Sequence, residues 1–98
     1  MKIAHKYTGT REYAHQQIDT LLTSLQKQYG DRISNPSTSW SKSGDRMDFS
    51  FGVYGFNLKG SVEIRDGEVV LDGSVPFFAK PFQGKAEELI RNKLEEIL

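Results

Sequence analysis

Between Trp40 and Val75 the chain can reverse direction three times without changing which residues share a face. Two-residue turns at Ser43-Gly44, Tyr54-Gly55 and Asp66-Gly67 each carry a glycine, and Asp-Gly is the strongest hairpin signal of the three. Counting outward from them sets Trp40 opposite Met47. Across the second turn Val53 meets Phe56, Phe51 meets Leu58, Phe49 meets Gly60 and Met47 meets Val62. Across the third, Ile64 meets Val69, Val62 meets Leu71, Gly60 meets Gly73 and Leu58 meets Val75. All of these share one face. The other face collects Asp48, Ser50, Asn57, Lys59, Ser61, Glu63, Arg65, Glu68, Asp72 and Ser74. A slip of one residue at any turn would bury that polar set, so the pattern fixes the register of a four-stranded antiparallel meander with one wet face.

The flanks supply what covers the apolar face. "KIAHKY" alternates as a short first strand, with Ile3, His5 and Tyr7 on one side. Thr10 can cap a helix in which Ala14, Ile18, Leu21, Leu22, Leu25 and Tyr29 recur at three- and four-residue steps, ending at Gly30. "DRISNPSTS" is a turn-rich connection containing Pro36. "GKAEELIRNKLEEIL" closes the chain as a helix with Ala86, Leu89, Ile90, Leu94, Ile97 and Leu98 in its apolar stripe. Glu87, Glu88, Arg91, Lys93, Glu95 and Glu96 face mostly outward, as a solvated face supported by pairs such as Glu87 with Arg91. The order is β-α-β-β-β-β-α. Two helices need an apolar partner and the sheet offers one face, so the fold class is α+β, with both helices on one side of an antiparallel sheet. Direction counting makes the first strand antiparallel to the last and pairs them. With 98 residues, residues 1–98 form a single domain.

Chemistry is scarce. Acids and bases balance at a formal net charge of zero, which argues against nucleic acid as a partner. There is no cysteine, hence no disulfide and no thiolate site. His5 and His15 are too few and too scattered for a metal centre; His5 is expected to pack at the first strand and His15 to sit at the boundary of the first helix. No phosphate loop, nucleophile elbow or dinucleotide fingerprint occurs, and Asp45 and Asp48 fall on opposite faces of a strand. The expectation is a non-catalytic protein with no cofactor and no metal site. Nothing approaches a membrane span or an apolar leader, so the expected location is the cytoplasm.

Two features remain for binding. Gly60 and Gly73, side by side on the apolar face, leave a shallow depression. It is either filled by Phe49 or a helix, or is the floor for a small apolar ligand. "GSVPFFAKPFQGK" sets Phe77, Phe78 and Phe82 beside Pro76 and Pro81. Leaving all three rings in water would forgo about 5–9 kcal/mol, comparable with the whole stability of a small domain. Most of the cluster is therefore expected in the core: Phe77 continues the inward phase of Val75, and Phe82 covers the end of the sheet. Phe78 points the other way and is the candidate exposed anchor for a partner, a second copy included.

The same region carries a resemblance. Pro81, Phe82, Gly84, Lys85, Glu87, Glu88, Ile90, Arg91, Lys93 and Leu94, with Trp40, Gly44, Asp45, Met47, Phe49, Gly52, Val53 and Gly55 upstream, resemble the polyhydroxyalkanoic acid system family of small bacterial proteins. Ala14 is similar to that family's alanine early in the first helix; Tyr7 stands where its members often carry histidine. The likeness spans nearly the whole chain and implies association with polyester granules or their regulation, through the granule surface or a coat protein. The alternative class is a small START-like carrier holding an apolar ligand between sheet and helices, which rests on fold analogy.

Overall fold

The computed structural model describes residues 1–98. β1 (Lys2–Lys6) leads into α1 (Arg11–Asp19) and α2 (Leu21–Tyr29). After a 3-10 turn at Gly30–Arg32 come β2 (Ser34–Trp40), β3 (Arg46–Val53), β4 (Phe56–Arg65) and β5 (Glu68–Ser74). A 3-10 segment, Phe77–Phe82, then runs into α3 (Gln83–Ile97). All five strands form one antiparallel sheet in the order β1-β5-β4-β3-β2. The fold is α+β, as the patterning requires.

Register follows the polar and apolar phase. Phe49 pairs with Gly60, Phe51 with Leu58, Val62 with Leu71 and Gly60 with Gly73, and Ile3 on β1 sits opposite Leu71. Met47, Phe49, Phe51, Leu58, Val62, Ile64 and Leu71 are buried, whereas Lys59, Glu63 and Asp72 are exposed. Val75 is only half-buried and lies beyond the β4–β5 ladder, which ends at Lys59 and Ser74.

The helices close over this face. Thr10 accepts a hydrogen bond from the Tyr13 amide through its hydroxyl, capping α1 as expected. The expected single helix breaks at Thr20, whose hydroxyl donates to the Gln17 carbonyl at 2.8 Å. Such local back-bonding competes with the helical ladder and bends it. The apolar stripe runs through the break nonetheless: Ala14, Ile18, Leu21, Leu22 and Leu25 are all buried. α1 packs on β4, and α3 lies against β1 and α2.

Two further departures have physical causes. The connection around Pro36 is largely strand. β2 pairs β3 from Ser34 to Trp40, with a register shift between Ser34 and Ser37, and Asn35 there adopts φ 49°. An edge strand exposed along most of its length needs no apolar alternation, and a bulge tolerates proline. Lys93, expected on the solvated face, is buried; its ammonium meets Glu96 at 3.0 Å. Glu87 and Arg91 form the expected pair at 2.9 Å.

Tyr7 is buried, and its hydroxyl donates to the Arg65 carbonyl at 2.6 Å. Arg11 donates to the Ile64 carbonyl at 2.8 Å and lies within ion-pair distance of Asp45 and Asp66. Between them they tie the start of α1 to both turns at one end of the sheet. The opposite end is left free for other surfaces.

Candidate functional site

That free end holds the β3–β4 turn, the 3-10 turn after α2, and the exit from β5. Strand alternation stops at Ser74, and Pro76 starts a 3-10 segment in which residues three apart fall on one side. Pro76, Ala79 and Phe82 therefore share the inner side. Ala79 is buried and Pro76 half-buried, while Phe82 keeps 45% of its surface exposed. Phe77 and Phe78 are turned outward at 83% and 65% exposure. The expectation that Phe77 joins the core is overturned: the change of period from two to three at Pro76 rotates it into water. A small alanine takes the inward place.

The outward rings support one another rather than the core. Phe77 and Phe78 meet edge to face with centroids 6.2 Å apart. Phe82, partly covering the sheet's end as expected, lies 6.4 Å from the buried ring of Phe56. Phe56 is the link to a neighbouring open groove of about 550 Å³, lined among others by Arg32, Ser34, Val53, Tyr54, Phe56 and Asn57. Tyr54 is 45% exposed and also borders a second hollow against Lys85 and Leu89 of α3. Four of the five large exposed apolar side chains thus belong to this end; Tyr13 is the other. From Pro76 to Ala86 the only charges are Lys80 and Lys85.

Sequence reasoning placed Phe78 on the surface and Phe82 at the sheet's end. It missed Phe77 and Tyr54. A signal for Tyr54 existed: tyrosine occupies the first place of a two-residue hairpin turn, where asparagine, aspartate or glycine is usual.

The glycine pair lies elsewhere on the sheet. Gly60 and Gly73 are paired as expected. A Cβ at Gly60 would stand 3.0 Å from Phe49 Cζ, so that ring covers it, as the first reading held. Over Gly73 the cover is the Met1 side chain, whose Cε would be 3.1 Å from a Cβ, rather than an aromatic ring.

Both histidines are accounted for locally: His5 lies half-buried in β1 opposite Val69. His15 stacks on Trp40 with centroids 3.8 Å apart, and its Nδ1 donates to the Gly44 carbonyl at 3.0 Å. Trp40 Nε1 donates to Asp19 at 2.8 Å. On the wet face, Arg65 hydrogen-bonds Glu63 at 2.9 Å. That bond, and then the guanidinium charge, hold the Glu63 carboxyl below its ordinary 4.5 and raise the Arg65 value. No helix is long and apolar enough to cross a membrane.

By its fold the chain is an α+β protein with its helices on one face of a five-stranded antiparallel sheet and an aromatic cluster exposed at one end. A family model described as "Putative polyhydroxyalkanoic acid system protein" matches residues 1–98, and the chain belongs to that family. The family's name ties it to polyhydroxyalkanoate systems. Searches of curated proteins and of solved structures returned no match.

Proposed function

We propose that this is a non-catalytic protein that adsorbs to the polyester of polyhydroxyalkanoate granules through the aromatic end, with Phe77 and Phe78 as the leading contacts. The observation that carries the reading is the exposure of two adjacent phenylalanines, 83% and 65%, in a chain whose other apolar side chains mostly gather in one buried core. Leaving two such rings in water forgoes about 3–6 kcal/mol of burial, a large fraction of a small domain's stability. An apolar surface recovers that term on contact, because the rings are already presented and little side-chain ordering is needed. A polyester is such a surface, and the family name supplies the polymer.

The carrier reading has less support. Its ligand would lie over Gly60 and Gly73, where Phe49 and Met1 already stand.

The test is adsorption to amorphous polyhydroxybutyrate particles, measured by sedimentation for the native chain and for Phe78→Ser, with thermal melts of both. Reduced adsorption with an unchanged melt supports the proposal. Equal adsorption by both proteins refutes it. A melt that collapses would show Phe78 to be needed for the fold and refute its role as a free contact. Light scattering on the same samples reads out the competing use of the patch: if Phe78→Ser converts a dimer into a monomer, the occupant is a second copy.

A further inference from the structure

The groove beside the aromatic end is open, and two of its residues are unusual. Tyr54 holds φ 53° and Gly55 φ 80°, so both central residues of the β3–β4 turn are left-handed. Glycine takes that conformation freely, and asparagine or aspartate take it readily; for a bulky aromatic residue it is a strained choice. Strain of this kind persists only where the surrounding structure holds it, and it gathers at binding and active sites. The second residue is Arg32. Arg11, Arg46, Arg65 and Arg91 each have a carboxylate within ion-pair distance, whereas Arg32 has none. It sits on the groove wall with its charge unpaired.

The lining is mixed in kind. The Tyr54 ring supplies the exposed apolar surface beside the buried Val53 and Phe56, and Arg32, Ser34 and Asn57 can donate hydrogen bonds. An aliphatic polyester is built the same way, with short apolar stretches separated by ester carbonyls that only accept. Its chain end is a carboxylate, the natural partner of a free guanidinium. A volume of about 550 Å³ falls in the range of small-molecule sites and suits a few repeat units rather than a surface. The groove also joins the aromatic end through Phe56, whose ring faces Phe82.

The geometry points to a single-chain site: the groove between the 3-10 turn Gly30–Arg32 and the β3–β4 turn seats one extended segment of aliphatic polyester, carboxylate end toward Arg32 and backbone along Tyr54. This rests on the polyester reading but is separate from adsorption. Phe77 and Phe78 meet the bulk surface, and the groove takes an individual chain end. Asp31 also lines the groove, so the carboxylate must lie on the Arg32 side, and Asp31→Asn should tighten binding.

The experiment uses the full chain and a short, soluble hydroxybutyrate oligomer, offered as the free acid and as its methyl ester, with affinity read by calorimetry and the contact surface by amide chemical shifts. The oligomer should perturb residues 31–34 and 52–57. Tyr54→Gly should weaken binding about tenfold or more while the protein melts at the same or a higher temperature, because the turn is relieved. Arg32→Ala should abolish the preference for the free acid over the ester. Phe78→Ser should leave oligomer affinity unchanged while particle adsorption falls. The inference is overturned if the native chain adsorbs to particles but takes no oligomer. It is equally overturned if Tyr54→Gly and Arg32→Ala bind as the native chain does, or if Tyr54→Gly lowers the melting temperature and so shows Tyr54 to be a structural residue. Oligomer binding without particle adsorption would refute the surface reading and leave the groove standing.

Discussion

Gly60→Ala is the sharpest test of how the sheet is built. An added Cβ would run into the Asp72 carbonyl oxygen and stand 2.8 Å from Gly73 Cα and 3.0 Å from Phe49 Cζ. Two of those neighbours are backbone of β5, which pairs on both sides and cannot retreat without breaking a ladder. Overpacking of a core typically costs about 1–3 kcal/mol, and the upper end applies when backbone must move. Replacing glycine also removes unfolded-state freedom, which returns about 0.4–1 kcal/mol. The net is a loss of about 2 kcal/mol, or a fall in melting temperature of about 8–16 °C for a domain of this size. Gly73→Ala is the control. Its nearest neighbour is Met1 Cε at 3.1 Å, the far end of a flexible side chain, with Leu58 Cδ1 and the Lys59 carbonyl at 3.6 Å. It should be within about 0.5 kcal/mol of the native chain, since the entropic gain offsets a small adjustment. Urea melts of the three proteins measure both values. The reasoning is refuted if Gly60→Ala is neutral, or if Gly73→Ala is the more damaging of the two.

Three other outcomes are expected. Trp40→Phe removes the hydrogen bond to Asp19 while keeping a ring against His15, and should cost about 0.5–1.5 kcal/mol in the same melts. Lys93→Met should melt at or above the native temperature, because a buried charge is replaced by a side chain of similar length; Glu96→Ala should melt lower, because it leaves the buried ammonium without its partner. Glu63 titrates below its ordinary 4.5, so whatever its pair with Arg65 contributes is present above that pH and fades as pH falls through the lowered value; both groups are solvent-exposed, so Glu63→Gln should leave the neutral-pH melt unchanged within error and flatten its acid limb slightly.

The sheet was legible because three turns preserve one phase. Each polar residue from Asp48 to Ser74 votes for the same register, and a slip would bury charge. β1 could be placed on β5 because strand directions leave it that edge. The failures lie where the local period changes. Beyond Ser74 the alternation was carried past Pro76, which starts a 3-10 segment, and that error put Phe77 inside. Thr20 has an ordinary place in a helical stripe, and only its hydroxyl bond to Gln17 shows why the helix breaks there. Lys93 reads as outward with the other charged residues of α3, but it is buried on a helix that packs beside α2, and Glu96 meets its head, a tertiary effect no local pattern carries. Within the candidate site, Phe78 could be read from its phase; Tyr54 was marked only by an unusual residue at the first place of its turn, and the left-handed backbone there shows what that mark means.

The central claim is that one particular end of the molecule meets the polyester. Hydroxyl-radical footprinting of the protein, free and adsorbed to amorphous polyhydroxybutyrate particles, tests it residue by residue. Phe77, Phe78 and Phe82 should lose most of their reactivity on adsorption. Tyr13, 38% exposed and held near the C-terminal end of α3, should keep its own and serves as the internal reference. Protection of Tyr13 with Phe77 and Phe78 still reactive would contradict the account.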